Sequence, residues 1–319
     1  MDRMTEARAI IVAKDEHQWH RERAHGIGAS EIPAILGLDR FRDPYTLWAQ
    51  RTGRLEREEM PLRVKAGLAM EPMVAKFFED QEGVQVEDPG PYTIYRIPGT
   101  RYQCTPDVFV AGTTRPVQIK TGNAYQESTW KDGQSPVAYL AQVTYEMHVL
   151  GADDGYLVGF IGLNNLHVRH VQKNQHFVNT ILPEVDKFWD MLQTDTPPPV
   201  DYSESAMETW KRLHSTATQD VIELDAGMAE IVADWERAKE KAKEAAFSVE
   251  QAKSKLTVAI GDAGAATIGD GVLLTLKETN RKGACRVAYE AAEQLAAANI
   301  DHKTTEPSTY RTLRRAKIK

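Results

Sequence analysis

Apolar residues at helical spacing alternate with short runs of β-forming residues over the first two thirds of the chain. Helices are predicted near residues 10–23, from Ser30, near residues 62–80, and from Ser135–Pro136 to about Leu150, where a capping serine precedes a proline at the first helical position. The predicted strands have the sequences YTIYRI, CTPDVFV, PVQIKT, GYLVGFIGL and LHVRHVQ, followed by the helix QHFVNTILPEVDKFWDMLQ. The first three strands are short and separated by turn residues, which predicts a meander.

Three consecutive prolines in DTPPPVD, residues 195–201, interrupt this order. Because such a run cannot continue a helix and favours an extended spacer, we predict a first domain at residues 1–196, a linker at 197–202 and an extension at 203–319. The extension is expected to hold a long helix between Asp225 and Ile260, a small β-hairpin and a final helix in VAYEAAEQLAAAN.

Composition narrows the class of protein. Two cysteines, Cys104 and Cys285, exclude a disulfide scaffold and any four-cysteine zinc or iron–sulfur site. No segment reaches the roughly 18 apolar residues that a membrane span requires, and no secretion signal is visible, so a cytoplasmic location in a bacterial or phage-infected cell is expected. A net charge of −7 argues against nonspecific coating of nucleic acid but is compatible with a DNA enzyme that concentrates its basic residues in one groove.

The strongest chemical signal is Thr105-Pro106-Asp107 followed, after a short turn, by Gln118-Ile119-Lys120. If residues 112–115 form the turn of an antiparallel hairpin, Asp107 falls opposite Lys120, and Gln118 lies diagonally on the same face. A carboxylate, a second oxygen ligand and an ammonium on one face suit phosphodiester hydrolysis. The oxygens suit Mg²⁺, while the lysine can orient the attacking water.

Two helices add polar groups to this constellation. Glu71 shares a helical stripe with Val64, Leu68, Ala75 and Phe78, so a carboxylate is directed where the core is expected. The helix of residues 135–150 carries an apolar face and a second, polar and aromatic face, whose members are Tyr139, Gln142, Tyr145 and Glu146.

In this order Glu71, Pro106-Asp107, Ile119-Lys120 and Ala141-Gln142-Val143-x-Tyr145 resemble the PD-(D/E)xK nuclease core of the phage lambda exonuclease and YqaJ-type viral recombinase family. Trp19-His20, Arg23 and the segment GIGASE at residues 26–31 are similar to that family's opening motif. The resemblance covers roughly residues 15–195. It implies an α/β fold with a central mixed β-sheet flanked by helices, followed by a C-terminal helical extension with a small hairpin.

The resemblance also implies a role for each matching residue. Asp107, the Gln118 side chain and the Ile119 carbonyl would hold one Mg²⁺, for which Mn²⁺ could substitute, and Glu71 with Asp107 would help to hold a second. Lys120 would position the nucleophilic water, and Gln142 would support the active centre. Arg23 and Ser30 would hold the 5′ phosphate.

At the level of the whole protein, the resemblance implies 5′ to 3′ digestion of double-stranded DNA ends. This reaction leaves 3′ single-stranded tails for a single-strand annealing protein. It also implies a ring-shaped homotrimer, a closed symmetric assembly.

Gln118 departs from the family pattern, which usually has an acidic residue there. Glutamine keeps the shape and a neutral carbonyl ligand but removes a negative charge, so weaker Mg²⁺ binding and reduced turnover are expected. Two explanations are open. We favour a deliberate replacement of glutamate that traps uncut DNA with metal over natural variation in which Asp107 and Glu71 supply enough charge.

Two other functions remain as alternatives. One is a repair or restriction endonuclease on the same fold, which would cut closed circles, and the other is a noncatalytic DNA-end or recombination adaptor. The pair His167 and His170 has no thiolate or carboxylate partner in sequence and is given no weight as a zinc site. The basic tail RTLRRAKIK is compatible with contacts to DNA phosphates or with a solvated terminus.

Overall fold

The structure is a computed structural model that describes residues 8–56, 60–216, 221–268, 272–281 and 308–317. Contacts divide the chain into a first unit, Met1–Thr218, and a second unit, Gln219–Lys319. The helices are α1 (Glu16–Arg23), α2 (Ile32–Ile35), α3 (Pro44–Arg51), α4 (Leu62–Glu82), α5 (Val137–Leu150), α6 (Gln175–Gln193), α7 (Glu204–Leu213) and α8 (Met228–Ile260).

The strands of the first unit form two sheets. Their bounds are β1 (Ala9–Val12), β2 (Ile27–Gly28), β3 (Val86–Glu87), β4 (Thr93–Arg96), β5 (Tyr102–Cys104), β6 (Val108–Val110), β7 (Pro116–Gly122), β8 (Asp154–Ile161) and β9 (Asn165–Gln172). Short 3₁₀ turns cover Ala29–Glu31, Ala124–Thr129 and Lys131–Gly133.

The larger sheet has five strands in the order β3-β6-β7-β8-β9. Only the central pair, β7 and β8, runs parallel, and α5 lies in the crossover between them. Helix α4 packs on this sheet through the buried residues Val74 and Phe78. The prediction of an α/β core with a central mixed sheet flanked by helices is therefore confirmed.

The indole ring of Trp130 packs on β8 and is fully buried. A side chain at Gly159 would place its Cβ only 2.7 Å from the Trp130 ring, so the close approach of the indole requires glycine there. Because Gly159 pairs with Lys120 across the β7–β8 ladder, Trp130 packs on the same face of the sheet as the candidate site.

The smaller sheet has four strands in the order β1-β4-β5-β2, and two predictions fail there. The helix predicted near residues 10–23 begins only at Glu16, since residues 9–12 form a strand that pairs with β4 and Asp15 caps the helix through a 2.7 Å bond from the Gln18 N–H. The predicted meander is also wrong. The run CTPDVFV divides between two sheets at Pro106, which has no N–H for a ladder bond.

Helix α7, which the pattern did not predict, packs on α3. The Thr46 and Thr209 hydroxyls lie 2.8 Å apart, and Ser205 Oγ donates to Asp43 Oδ2 at 2.6 Å. These bonds attach residues beyond the prolines to the first unit. The division by contacts therefore falls after α7 rather than at the predicted linker.

The second unit contains α8, which confirms the long helix predicted between Asp225 and Ile260. A three-stranded sheet follows, with β10 (Ala265–Ile268) paired to β11 (Val272–Arg281) and β11 paired to β12 (Ser308–Lys317). The predicted hairpin is thus β10–β11, to which β12 adds a third strand containing most of the basic tail. The final helix predicted in residues 287–299 lies outside the described residues. Among the described helices, none has the length and apolar character needed to cross a membrane.

Candidate active site

Strand β7 is the centre of the candidate site because its alternate residues contact different layers. Val117 and Ile119 pack toward α4 on one face of the sheet. Gln118 faces Gln142 of α5 on the other, and Lys120 lies over the ring of Tyr139 of α5. The period of two in a strand therefore separates the apolar packing residues from the polar residues of the site.

The register of the hairpin differs from the prediction by two residues. Val108 pairs with Val117, so one step further along the same register Asp107 lies beside Gln118 rather than opposite Lys120. Position 120 nevertheless keeps the same face as position 118, because a shift of two residues preserves side-chain direction. Asp107, Gln118 and Lys120 still converge.

Asp107 immediately precedes β6 and accepts two hydrogen bonds on one oxygen. The Ile119 N–H donates to Asp107 Oδ2 at 2.7 Å, and Gln118 Nε2 donates to the same atom. Burial raises the pKa of Asp107, while Lys120 and these two hydrogen bonds oppose the rise. Oδ1 takes part in neither bond.

Glu71 reaches the site from α4, which contains Pro72 without ending there. A Cβ at Gly67, one turn earlier, would lie 2.9 Å from the Thr121 hydroxyl, so this part of α4 closely approaches the end of β7. Burial, followed by the charge of Asp107, raises the pKa of Glu71 to about 7, and Lys120 opposes this rise. The structure thus brings Glu71 within the electrostatic field of both Asp107 and Lys120.

The helical stripe that suggested burial of Glu71 is only partly buried. Ala75 and Phe78 lie in the core, whereas Val64 and Leu68 are 41% and 48% exposed. The prediction for the first half of the stripe is therefore wrong. Glu71 stands where the helix passes from solvent to core, which leaves its carboxylate half-buried at the rim of the site.

Lys120 is half-buried, and its Nζ lies 5.5 Å from the centre of the Tyr139 ring. An ammonium over an aromatic face is attracted by the ring quadrupole. The sequence pattern places Tyr139 only on the polar and aromatic face of α5. Its contact gives the lysine a second support besides the carboxylates.

Gln142 and Glu146 extend the polar cluster into α5. Gln142 Nε2 donates to Gln118 Oε1 at 2.5 Å and to Glu146 Oε1 at 3.1 Å. All three side chains are buried, and Glu146 is fully so. Burial, followed by the charge of Asp107, raises the pKa of Glu146 to about 8, while the Gln142 hydrogen bond and Lys120 oppose the rise. Sequence spacing did not show this burial because both faces of α5 are covered.

A second polar cluster contains Arg23 and Ser30. Arg23 donates to Ser30 Oγ at 3.1 Å, and its guanidinium lies 4.5 Å from the Trp19 ring centre. Arg42 adds a 2.9 Å bond to the Ser30 carbonyl. Ser30 is exposed, so a guanidinium and a hydroxyl together face solvent where an anion can approach.

Glu31 anchors this second cluster from inside. Its carboxylate is buried and accepts from Arg51 at 3.1 Å and from the Gly28 N–H at 2.8 Å. Although burial raises it, the pKa of Glu31 is held below its ordinary value by Arg51, Arg23, the Gly28 N–H and Arg42. The sequence motif found Arg23 and Ser30 but missed Arg42 and Arg51, because their approach depends on tertiary packing.

Helix α5 contacts both clusters. The Tyr145 hydroxyl donates at 2.9 Å to the carbonyl of Ile27, which lies just before the Ser30 turn, while Gln142, one turn earlier on the helix, contacts Gln118. One rigid element therefore fixes the positions of both clusters.

His167 and His170 do not come together as a metal site. The two residues pair separately, His167 with Glu127 at 3.2 Å and His170 with Asp154 at 2.6 Å. Within the described ranges, no group of three His, Cys, Asp or Glu side chains is placed to hold a metal. The sequence does not favour a zinc site, and this geometry adds no support for one.

The donors around Asp107 nevertheless suit a divalent cation of the Mg²⁺ type, which prefers hard oxygen ligands. Gln118 Nε2 lies within hydrogen-bonding distance of both Asp107 Oδ2 and the Ile119 carbonyl, the latter at 3.3 Å. An NH₂ group thus bridges the two oxygens that a cation would otherwise share. These residues are of the chemical types that bind such an ion. The Gln118 amide stands where a third acidic side chain would complete the set of ligands.

Comparison with known proteins finds a family match to the segment that contains both clusters. Residues 18–153 match the family described as the YqaJ-like viral recombinase domain. The chain is also similar to the uncharacterized protein YqaJ of Bacillus subtilis (strain 168), with 27% identity over 277 residues, covering 84% of this chain and 86% of that protein.

Solved structures similar to this chain include two described as exonucleases. An alkaline exonuclease (LHK-Exo) from Laribacter hongkongensis is 19% identical with a TM-score of 0.49, and the match covers 56% of this chain and 94% of the exonuclease. A phage related exonuclease from Haemophilus somnus 129PT is 11% identical with a TM-score of 0.41, covering 53% and 96% of the two chains. All residues of both clusters lie inside the matched segment, residues 18–153.

Proposed function

We propose that this YqaJ-like domain is a Mg²⁺-dependent exonuclease that digests linear double-stranded DNA from its 5′ ends and leaves 3′ single-stranded tails. The observation that carries the proposal is the convergence of Glu71, Asp107, Gln118 and Lys120 around β7. The Arg23–Ser30 cluster, fixed by the same helix α5, supports the choice of an end-dependent enzyme.

Asp107, the Gln118 amide oxygen and the Ile119 carbonyl would hold one Mg²⁺, and Glu71 with Asp107 would help to hold a second. The bound ion would polarise the scissile phosphate and lower the pKa of a water molecule; Mn²⁺ could supply the same chemistry. Lys120 orients the attacking water and stabilises negative charge on the phosphate, aided by its support from Tyr139. Gln142 fixes the Gln118 side chain through their 2.5 Å hydrogen bond.

Arg23 and Ser30 would hold the 5′-terminal phosphate of the strand being digested. A guanidinium combined with a hydroxyl suits a phosphate because charge-assisted hydrogen bonds to it are short and strong. The Arg42 bond to the Ser30 carbonyl keeps this turn in place. Within this proposal the protein forms a homotrimer around DNA in the cytoplasm and passes its 3′ tails to a single-strand annealing protein.

The deciding experiment titrates Mg²⁺ against a linear duplex that carries a 5′ phosphate and separate labels on the two ends of one strand. We expect metal-dependent loss of the 5′ label first. The Lys120→Ala variant should lower single-turnover digestion by about 10²–10³-fold while the fold is retained, because Lys120 is half-buried and polar. Loss of the 3′ label first would contradict the proposed polarity.

Closed circular duplex is the matched control substrate. Cutting of circles would favour the repair or restriction endonuclease. The noncatalytic adaptor is the second candidate, favoured specifically by the neutral Gln118 beside Asp107. It predicts binding of duplex ends without hydrolysis, even in the Gln118→Glu variant.

A further inference from the structure

Glu146 is a buried carboxyl group to which the proposed mechanism assigns no role. It is fully buried on α5, and its Oε1 accepts from Gln142 Nε2 at 3.1 Å. Its other oxygen, Oε2, has no hydrogen-bond partner among the described residues. An unpartnered buried carboxylate oxygen is costly unless it carries a proton or gains a partner in another state of the site.

The two glutamines beside Glu146 have a definite donor order. Gln142 directs its NH₂ group to Gln118 Oε1 and to Glu146 Oε1. Gln118 in turn directs its NH₂ group to Asp107 Oδ2 and the Ile119 carbonyl. In this order the Gln118 carbonyl oxygen points away from the two oxygens with which it would share a metal ion.

The opposite order is reached by a half-turn of both amides, which exchanges oxygen and nitrogen but keeps the shape of each side chain. The Gln118 oxygen then faces Asp107 and the Ile119 carbonyl, and its NH₂ group faces the Gln142 oxygen. That same Gln142 oxygen also faces Glu146. Two acceptors meet there unless the Glu146 carboxyl group carries a proton and donates it.

We propose that Glu146 is a positioning residue. As a neutral carboxylic acid it donates a hydrogen bond to Gln142, and this bond holds both amides in the order that turns the Gln118 oxygen toward Asp107. The inference rests on the proposed metal-dependent function and adds a regulatory group to it. Deprotonated Glu146 stabilises the order in which an NH₂ group occupies the cation position. Protonated Glu146 stabilises the metal-competent order.

The charges around Glu146 support a neutral form near neutral pH. Its pKa is raised to about 8, first by burial and then by the charge of Asp107, against the opposing effects of the Gln142 hydrogen bond and Lys120. Cys104, buried on β5, also interacts electrostatically with Glu146. Mg²⁺ binding should therefore weaken as the pH rises above about 8, in contrast to an ordinary carboxylate, whose ionisation strengthens metal binding.

The test is calorimetric titration of the full chain with MgCl₂ alone between about pH 6.5 and 9.5, without DNA, so that binding is read separately from turnover. Glu146→Gln supplies a permanent donor of the same shape, and Glu146→Leu supplies none. The control is Glu240→Gln, which removes the same charge from an exposed position on α8. Thermal melts confirm that each variant is folded at every pH used.

We expect Glu146→Gln to bind Mg²⁺ at least about fivefold more tightly than the wild type near pH 9.5 and about equally near pH 6.5. A fivefold change in affinity corresponds to the free energy of about one net hydrogen bond. Glu146→Leu should bind about fivefold more weakly than the wild type near pH 6.5. In a Gln118→Glu background both oxygens at position 118 are acceptors, so the preference for a donor at position 146 should disappear.

Weaker binding by Glu146→Gln above about pH 8 would show that Glu146 acts through its negative charge and would overturn the inference. Equal binding by Glu146→Leu and the wild type would overturn it as well. Failure of the proposed function looks different, because then the wild type itself binds no Mg²⁺ at any pH. If Glu240→Gln changes the Mg²⁺ affinity as much as Glu146→Gln does, the effect comes from net charge alone. That result would also refute the proposed role of Glu146.

Discussion

Replacing Gln118 by glutamate places a carboxylate directly beside Asp107 at a position that is 1% exposed. The substitution keeps the volume and removes one donor, because Gln118 Nε2 donates to Asp107 Oδ2 and to the Ile119 carbonyl. The Gln142 N–H still has an acceptor at position 118. The perturbation is therefore confined to two lost hydrogen bonds and one added charge.

The size of the effect follows from these contacts. Losing a hydrogen bond to a charged group costs about 1.5–3 kcal/mol. Two carboxylates at about 4 Å repel by about 4 kcal/mol at an effective dielectric constant near 20, but the pair avoids most of this by taking up a proton. We expect the metal-free Gln118→Glu protein to be less stable by about 2–4 kcal/mol, which lowers Tm by about 4–15 °C for a unit of this size.

Mg²⁺ should reverse the loss, since the new carboxylate and Asp107 can then share a cation. At a concentration about 100 times Kd, ligand binding returns about 2.7 kcal/mol. The assay is a thermal melt of wild type and Gln118→Glu with EDTA and across a Mg²⁺ series, together with digestion of a linear duplex. Gln81→Glu, an exposed change on α4, adds the same charge as a control.

If wild type and Gln118→Glu have equal Tm values without metal, the contact between Gln118 and Asp107 does not contribute to stability as argued. Equal stabilisation by Mg²⁺ in both proteins would refute the metal site itself. If the variant is stabilised by Mg²⁺ but digests DNA no faster, the interpretation of Gln118 as a weakened catalytic position is wrong.

Four further variants test other parts of the structure. Arg23→Ala and Ser30→Ala should each reduce the preference for 5′-phosphate over 5′-hydroxyl ends by about tenfold in kcat/KM, since each removes a charge-assisted contact, and an unchanged preference would exclude this cluster from end recognition. Gly159→Ala should lower the free energy of unfolding by about 1–3 kcal/mol in a urea titration, because its Cβ would lie 2.7 Å from the Trp130 ring, and a neutral result would contradict that packing. Because the folded-state pKa of Glu146 is raised to about 8, its contribution to stability is full below its ordinary pKa and is lost as the pH rises toward 8. The metal-free wild type should therefore lose on the order of 3 kcal/mol relative to Glu146→Gln between about pH 5 and 8, whereas parallel pH profiles would show that Glu146 is already ionised.

The sequence predicted the site face of β7 because side chains in a strand alternate with period two. That is why Asp107, Gln118 and Lys120 converge even though the predicted register was wrong by two residues. The register itself depends on the turn, whose geometry the spacing alone did not define. Arg23 and Ser30 are predicted from the order of the motifs along the chain rather than from hydrophobic periodicity.

Other features required tertiary packing. Periodicity marks one apolar face of α5, but both faces are covered, so the burial of Gln142 and Glu146 could not be read from spacing. Arg51 reaches Glu31 from another helix, an approach that no local pattern encodes. Conversely, Val64 and Leu68 fit a core stripe on α4 yet remain exposed, because nothing in the described part of the first unit covers that end of the helix.

Because Asp107 accepts a hydrogen bond from the Ile119 N–H, it has a structural role in addition to its chemical role in the site. Its Oδ2 completes the backbone pairing where β6 has not yet begun, and the same oxygen is one that a cation would share with the Ile119 carbonyl. A substitution such as Asp107→Ala would therefore leave a buried amide without an acceptor as well as a centre without its ligand. Loss of activity in that variant would be inseparable from local unfolding of the ribbon. Asp107 is therefore a structural clamp of the ribbon as well as a candidate metal ligand.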